Sequence, residues 1–207
     1  MIKSGRPPKG SELQSRDRLL DSALQLFLQH GYGDLSLEII ARDARVSMRT
    51  LYSHFGGKAG LFGAVIRRCS DHFVEYLPEA AEPEAALIAF AKEFIFQLTR
   101  PEVVRLRAIL IGESFKFPDL AAEFYAQGPQ LTQDKLTQFF TQQQQAGYFV
   151  HQDPRQLADH FMSSLRNEHF YKLQLGLEPT PEPEFIDAWV RQTVRLFLYG
   201  GMGSAEI

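Results

Sequence analysis

Met48 and Arg49 stand at the start of a short amphipathic segment, and together they carry the chemistry of base recognition. A guanidinium can fork onto the O6 and N7 of guanine, and an apolar side chain such as methionine can pack against the methyl group of thymine. Such groups read sequence only when the N-terminal end of a helix carries them to base edges in a groove. Ser36 and Ser47 supply two helix starts. Each serine follows an apolar residue, Leu35 or Val46, and precedes another at the fourth helical position, Ile40 or Leu51. This is the pattern of an N-cap closed by a hydrophobic staple. At Ser36 the hydroxyl and the backbone N–H groups behind it also form an anion site suited to a phosphate. The plainer reading, that Ser36 only caps its helix, stays open.

The elements that must position these groups run from Leu35 to Lys58, LSLEIIARDARVSMRTLYSHFGGK. The stretch reads as two short helices joined by a tight turn, then the start of a third. Ile39, Ile40 and Ala44 give the first helix its apolar side. Leu51 and Phe55, at i, i+4 spacing, give the second its core face and leave Met48, Arg49, Tyr52 and Ser53 pointing elsewhere. Two capped helices a few residues apart, the second with an exposed polar face, are what a helix-turn-helix requires.

Ala41, Val46, Ser47, Thr50-Leu51-Tyr52, His54-Phe55 and Lys58 resemble the DNA-binding signature of the tetracycline-repressor (TetR) family. The preceding segment, Ser15 to Tyr32, has Leu19, Leu20, Ala23, Leu24 and Phe27 on one side and Gly31 as C-cap, and it is similar to that family's first helix. Further on, GESFKFPDLAAEFY is similar to the subgroup named after an epiphytic-fitness regulator. The resemblance implies that Tyr52, His54 and Lys58 touch phosphates, with Thr50 between them and the base-reading pair. Arg45 departs from the family pattern, because the turn position usually carries Gly in a left-handed conformation. An arginine there costs on the order of 1 kcal/mol. Either the turn is shaped differently, or the strain is tolerated because Arg45 reaches a phosphate.

Composition sets the wider limits. The chain has 207 residues, of which 44% are hydrophobic and 23% charged, an ordinary globular mixture. Its formal net charge of -3 argues by itself against a nucleic-acid partner. The distribution reverses that: residues 1–70 hold 11 Lys+Arg against 6 Asp+Glu, and the rest holds 11 against 19. A basic head on an acidic body places the positive field at one end. Residues 1–15 read as a flexible basic arm, in which Arg6 can lie in a narrow A·T minor groove. The single cysteine, Cys69, excludes an intrachain disulfide and fits a reducing compartment. No apolar run approaches the length of about 18 residues that spans a membrane, and no signal peptide is recognisable. A cytoplasmic protein is expected. Cys69 and His72 at i, i+3 lack further partners with zinc-like spacing, so neither metal nor other cofactor is expected.

Beyond residue 60 the punctuation is helical throughout. Pro83, Pro101, Pro118, Pro154 and Pro183 open helices, Gly147 ends one that resumes at Gln130, and the stretch from Pro154 to about Leu175 reads as a single helix. The helix opening at Lys58 is expected to reach Tyr76. The fold class expected is all-α with about nine helices: a helix-turn-helix DNA-binding domain over 16–60, then a regulatory and dimerisation domain over 61–207.

Family resemblance implies a homodimer paired through the last two helices, with Leu157, Phe161, Leu165, Trp189, Val190, Val194 and Phe197 at the interface; internal core is the other reading of those faces. It also implies a small-molecule pocket. The aromatic middle helices suggest Phe90, Phe94, Phe117, Phe124 and Tyr125 as walls for an apolar or aromatic effector, with Gln97, Glu113, His160 and Asn167 as polar groups. The expected partners are double-stranded operator DNA, a second copy of the chain and an unknown effector, with no membrane. The expected activity is a repressor that binds a palindromic operator and is released by the effector, through a pivot of the helix that opens at Lys58. Competing readings are a regulator of the same fold governed by a protein partner, or by no ligand. No nucleophile–base pair or phosphate loop supports an enzyme.

Overall fold

The computed structural model describes residues 9–70 and 82–200. It has eleven described helices: α1 (Lys9–His30), α2 (Leu37–Asp43), α3 (Met48–Phe55), α4 (Lys58–Ser70), α5 (Pro83–Leu98), α6 (Pro101–Glu113), α7 (Pro118–Gln127), α8 (Pro129–Gln145), α9 (Pro154–Leu165), α10 (Glu168–Gln174) and α11 (Pro183–Tyr199). No strand occurs among the described residues. The expected prolines open α5, α6, α7, α9 and α11, and α8 opens at Pro129, one residue before the Gln130 start expected; at a first turn the missing N–H costs no helical bond.

Two compact units divide the described residues. The first holds the chain up to Arg67 together with Leu106–Gln127. Its core gathers Leu19, Leu20 and Phe27 of α1, Ile40 of α2, Leu51 of α3, and Leu61, Phe62 and Val65 of α4. Leu106, Leu110 and Leu120 of α6 and α7 are buried in the same cluster. This unit therefore extends past the boundary drawn at residue 60, because α2 and α3 are too short to bury a sufficient apolar surface alone. Phe27, Tyr32, Phe62 and Phe117 form its aromatic centre, with ring centroids 5.1–5.8 Å apart.

The second unit holds Arg68–Arg105 and the chain from Gly128 onward. Leu87, Phe90, Phe94 and Ile95 of α5 pack with Phe139 and Phe140 of α8, Phe161 and Leu165 of α9, and Trp189, Val190 and Val194 of α11. One helix expected over 154–175 is two. Arg166 leaves the helical region at φ -96, ψ 65, and Asn167 starts α10 by accepting from the N–H groups of His169 at 3.0 Å and Phe170 at 3.3 Å. Asparagine competes with the helix for backbone donors, so it restarts a helix here.

α1 begins at Lys9, earlier than the Ser15 start expected. The expected continuation of α4 to Tyr76, together with Arg6 and His72, lies outside the described residues, and the side chain of Cys69 is likewise not described.

Candidate nucleic-acid interface

The two serine caps form as their sequence spacing requires. Ser36, in extended backbone, accepts from the Ile39 N–H at 3.4 Å and opens α2. Ser47 accepts from the Thr50 N–H at 3.1 Å, and its hydroxyl bonds that of Thr50 at 2.8 Å. Ser47 and Thr50 therefore engage one another before any partner arrives. Leu51 is fully buried under α3, which fixes the rotation of that helix. Arg49, Tyr52, Ser53 and His54 are consequently exposed, Tyr52 at 52%. Burying a leucine contributes about 1.5–3 kcal/mol, so the orientation of this polar face is set by core packing.

Two expectations about side-chain placement change. Ile39 was assigned to the apolar side of α2 but is 43% exposed, whereas Leu37, Ile40 and Ala41 are buried. Met48, expected to be free for a thymine methyl, is half-buried and packs against the core of the first unit, because it shares the inward side of α3 with Leu51 and Phe55.

Lys58 has partners within the fold. Its ammonium donates to the Gly33 carbonyl at 3.2 Å and lies 4.5 Å from the centre of the Tyr32 ring. Burial pulls its pKa below the usual lysine value, and the carboxylates of Glu113 and Asp34 oppose that shift. The group ties α4 to the turn after α1 as well as marking the start of α4. From the opposite side of that turn, Glu113 accepts from the Gly33 N–H at 3.2 Å. Gly33 is thus held through both backbone groups, by α4 and by α6. Sequence offered no signal for this arrangement, because neither a glycine N–H nor a glycine C=O has a residue-specific signature.

The turn between α2 and α3 keeps its left-handed residue. Ala44 caps α2, Arg45 has φ 55, the Arg45 N–H donates to the Arg42 carbonyl at 3.1 Å, and the Val46 N–H donates to the Ala41 carbonyl at 2.9 Å. These are the two bonds of a Schellman closure, with arginine where glycine is preferred. At the end of α3 the same role falls to Gly56 at φ 71.

The residues expected to form an effector pocket fall in both units. In the first, Glu113 is spent on Gly33, Phe117 packs edge-on to Tyr32 at 5.2 Å, Phe124 packs against the core beneath Arg107 at 5.9 Å, and Tyr125 is exposed. In the second, Phe90 and Phe94 are buried core rings stacked at 5.6 Å. Gln97 donates to Glu93 at 2.7 Å and accepts from Arg100 at 3.1 Å, and Asn167 is the α10 cap. Of the second set, His160 and Asn167 line a groove of about 510 Å³ between α9, the start of α10 and α11.

Most of the expected dimer residues are internal. Phe161, Leu165, Trp189, Val190 and Val194 are buried within the second unit, and Leu157 and Phe197 pack against that cluster. They form the inner stripe of their helices, whose burial the second unit already needs. α11 carries another stripe facing outward: Phe185, Ala188, Gln192, Leu196 and Tyr199 are all exposed. Their 3- and 4-residue spacing was available in the sequence, but the stronger inner stripe masked it.

Comparison with known proteins matches this geometry. Residues 19–65 match the model of bacterial regulatory proteins of the tetR family, and residues 85–200 match that of the AefR-like transcriptional repressor C-terminal domain. Among solved structures, the flavonoid-responsive regulator FrrA is 31% identical with a TM-score of 0.72, covering 92% of this chain and 98% of that one. A TetR-family regulator from Mesorhizobium loti has a TM-score of 0.73 at 23% identity, covering 90% of this chain and 96% of its own. The HTH-type transcriptional repressor ComR of Escherichia coli is 40% identical over 88 residues, 42% of this chain. The chain spans 37% of that repressor's length, and less than half the length of the curated relatives it matches.

Proposed function

The chain belongs to the TetR family of bacterial transcriptional repressors, with an AefR-like C-terminal domain, and on that premise we propose that it binds a palindromic operator as a homodimer and is released by a small aromatic effector. Members of the family bind DNA and dimerise, and they are regulators, not enzymes. The observation that carries the reading for this chain is the face of α3: Arg49, Tyr52, Ser53 and His54 exposed above a fully buried Leu51, on a helix whose start is capped by Ser47. Arg49 reads a guanine edge, while Tyr52 and His54 lie farther along the helix, where phosphates flank the groove. The start of α2 at Ser36 offers backbone N–H groups to a phosphate.

The outward stripe of α11, with His160 and Ser164 across the groove on α9, is the surface through which two copies pair. A twofold dimer places two α3 helices on half-sites about 34–36 Å apart, or a multiple of that. An aromatic effector is supported by the likeness to the flavonoid-responsive regulator and by the phenylalanine-rich second unit. α4 and α6 are the helices whose residues belong to both units, so they carry the coupling. A displacement of α6 acts on the turn before α2 through Glu113 and Gly33. Ligand and operator then weaken one another by the same factor.

The test is selection of duplexes from a random pool by the purified protein, followed by titration of the enriched sequence with flavonoids. Enrichment of a palindrome bound by two protomers, and its release by a flavonoid, is the expected outcome. Enrichment without release by any aromatic compound would favour control by a protein partner or by no ligand.

A further inference from the structure

Arg45 presents a structural conflict. A non-glycine residue at φ 55 is uncommon, and an arginine there gains nothing from its own side chain that glycine or asparagine would not supply at lower strain. Local packing does not demand it either. Arg45 is exposed, and among the described residues its guanidinium makes no hydrogen bond or ion pair. The carbonyl of the preceding residue, Ala44, already accepts from Arg18 Nε at 3.3 Å, so the end of α2 has its cationic partner. The Schellman bonds show that the turn keeps the geometry glycine prefers. Residues held in sparsely populated backbone regions cluster at functional sites.

The turn also collects charge. Arg42, Arg45 and Arg49 are exposed at three- and four-residue spacing around the junction that delivers α3, and none has an ion pair or guanidinium hydrogen bond among the described residues. Asp43 is the one acid between them in the sequence. A guanidinium at the junction reaches out beside the N-terminal end of the recognition helix, where the sugar–phosphate backbone borders the groove.

We propose that Arg45 is a phosphate-binding residue that this chain carries in place of the turn glycine, and that its contact strengthens DNA binding without contributing to sequence choice. The proposal rests on the operator-binding reading given above. It deepens that reading by assigning a specific contact to a position that the glycine of the family pattern cannot serve.

The experiment compares wild type, Arg45→Gly, Arg45→Asn and Arg45→Lys as full chains. Each is titrated onto the duplex enriched by the wild type and onto random-sequence duplex, at several salt concentrations, with thermal melting in parallel. Arg45→Gly and Arg45→Asn are expected to bind both duplexes about tenfold more weakly. Their log–log salt slopes should shrink by about 0.9, the share of one phosphate on duplex DNA. Arg45→Lys retains the slope. Arg45→Gly melts at the wild-type temperature or a few degrees above it, because strain is relieved. Unchanged affinity and slope in Arg45→Gly overturn the proposal. So does a lowered melting temperature with unchanged binding, which would make Arg45 a partner of the α2 C-terminal dipole. Failure of the wild type to prefer any duplex removes the operator reading itself, which the wild-type arm detects separately.

Discussion

Gly60 offers a test in which packing and helix propensity predict opposite signs. It lies in the first turn of α4, beside the end of α3. A Cβ added there would run into the Phe55 carbonyl oxygen, far inside contact distance, and would also lie 3.1 Å from the Phe55 carbonyl carbon. The obstacle is backbone, so no side-chain rotation relieves it. On helix propensity alone, Gly60→Ala should stabilise the protein by about 0.5–1 kcal/mol. Overpacking of a closed contact costs about 1–3 kcal/mol and here outweighs that gain. The net expectation is a loss of about 1–2 kcal/mol. For a chain of this size that lowers the melting temperature by about 2–8 °C. Because the last turn of α3 must move to make room, DNA affinity should fall as well, on specific and random duplexes alike. Thermal melting by circular dichroism and a duplex titration measure both effects. A melting temperature at or above that of the wild type would refute the reasoning, since it would mean that the α3–α4 approach is looser than described and that propensity decides.

Other perturbations separate the roles assigned above. Asn167→Ala removes both capping bonds of α10 and should cost about 1 kcal/mol in a denaturant melt, whereas Asn167→Asp should retain most of it. Arg49→Ala should lose about 1–3 kcal/mol of preference at one base pair, and equal losses on specific and random DNA would contradict a base-reading role. Lys58 is held below its usual pKa by burial, so the folded state releases its proton before the unfolded state does. Its contribution to stability therefore rises as pH climbs through the window just below about 10.4, and Lys58→Met should abolish that rise relative to the wild type. A difference between the two proteins that is flat across the window would show that the ammonium is not desolvated.

The parts of this fold that were legible in the sequence are those decided locally. Ser36 and Ser47 cap because the cap and its staple lie within five residues, and Leu51 is buried because it shares with Met48 and Phe55 the one side of α3 that can face a core. Asn167 escaped because an asparagine inside an apolar-periodic run carries no mark that distinguishes a solvent-facing residue from a cap. The partners of Lys58 within the fold were not legible, because Tyr32 and Gly33 lie 26 and 25 residues away in the chain. The residues expected at the dimer face were ambiguous for a related reason. Periodicity finds an apolar stripe on α11 but not whether the stripe meets its own unit or another copy, and Trp189, Val190 and Val194 proved to serve the former. Residues for an effector were the hardest to choose from sequence, since an aromatic side chain in a helix has the same pattern whether it lines a cavity or, like Phe90 and Phe94, fills a core.

The central claim is that the exposed face of α3 reads DNA sequence in a twofold assembly. Its most direct test is a titration of the purified protein onto the selected palindrome and onto random duplex at fixed, stated salt, with stoichiometry measured in the same experiment. The account predicts two protomers per palindrome, or a multiple of two, and an affinity about 10³-fold or more above that for random sequence. Binding that is equal on both duplexes, or saturates at one protomer per palindrome, would contradict it.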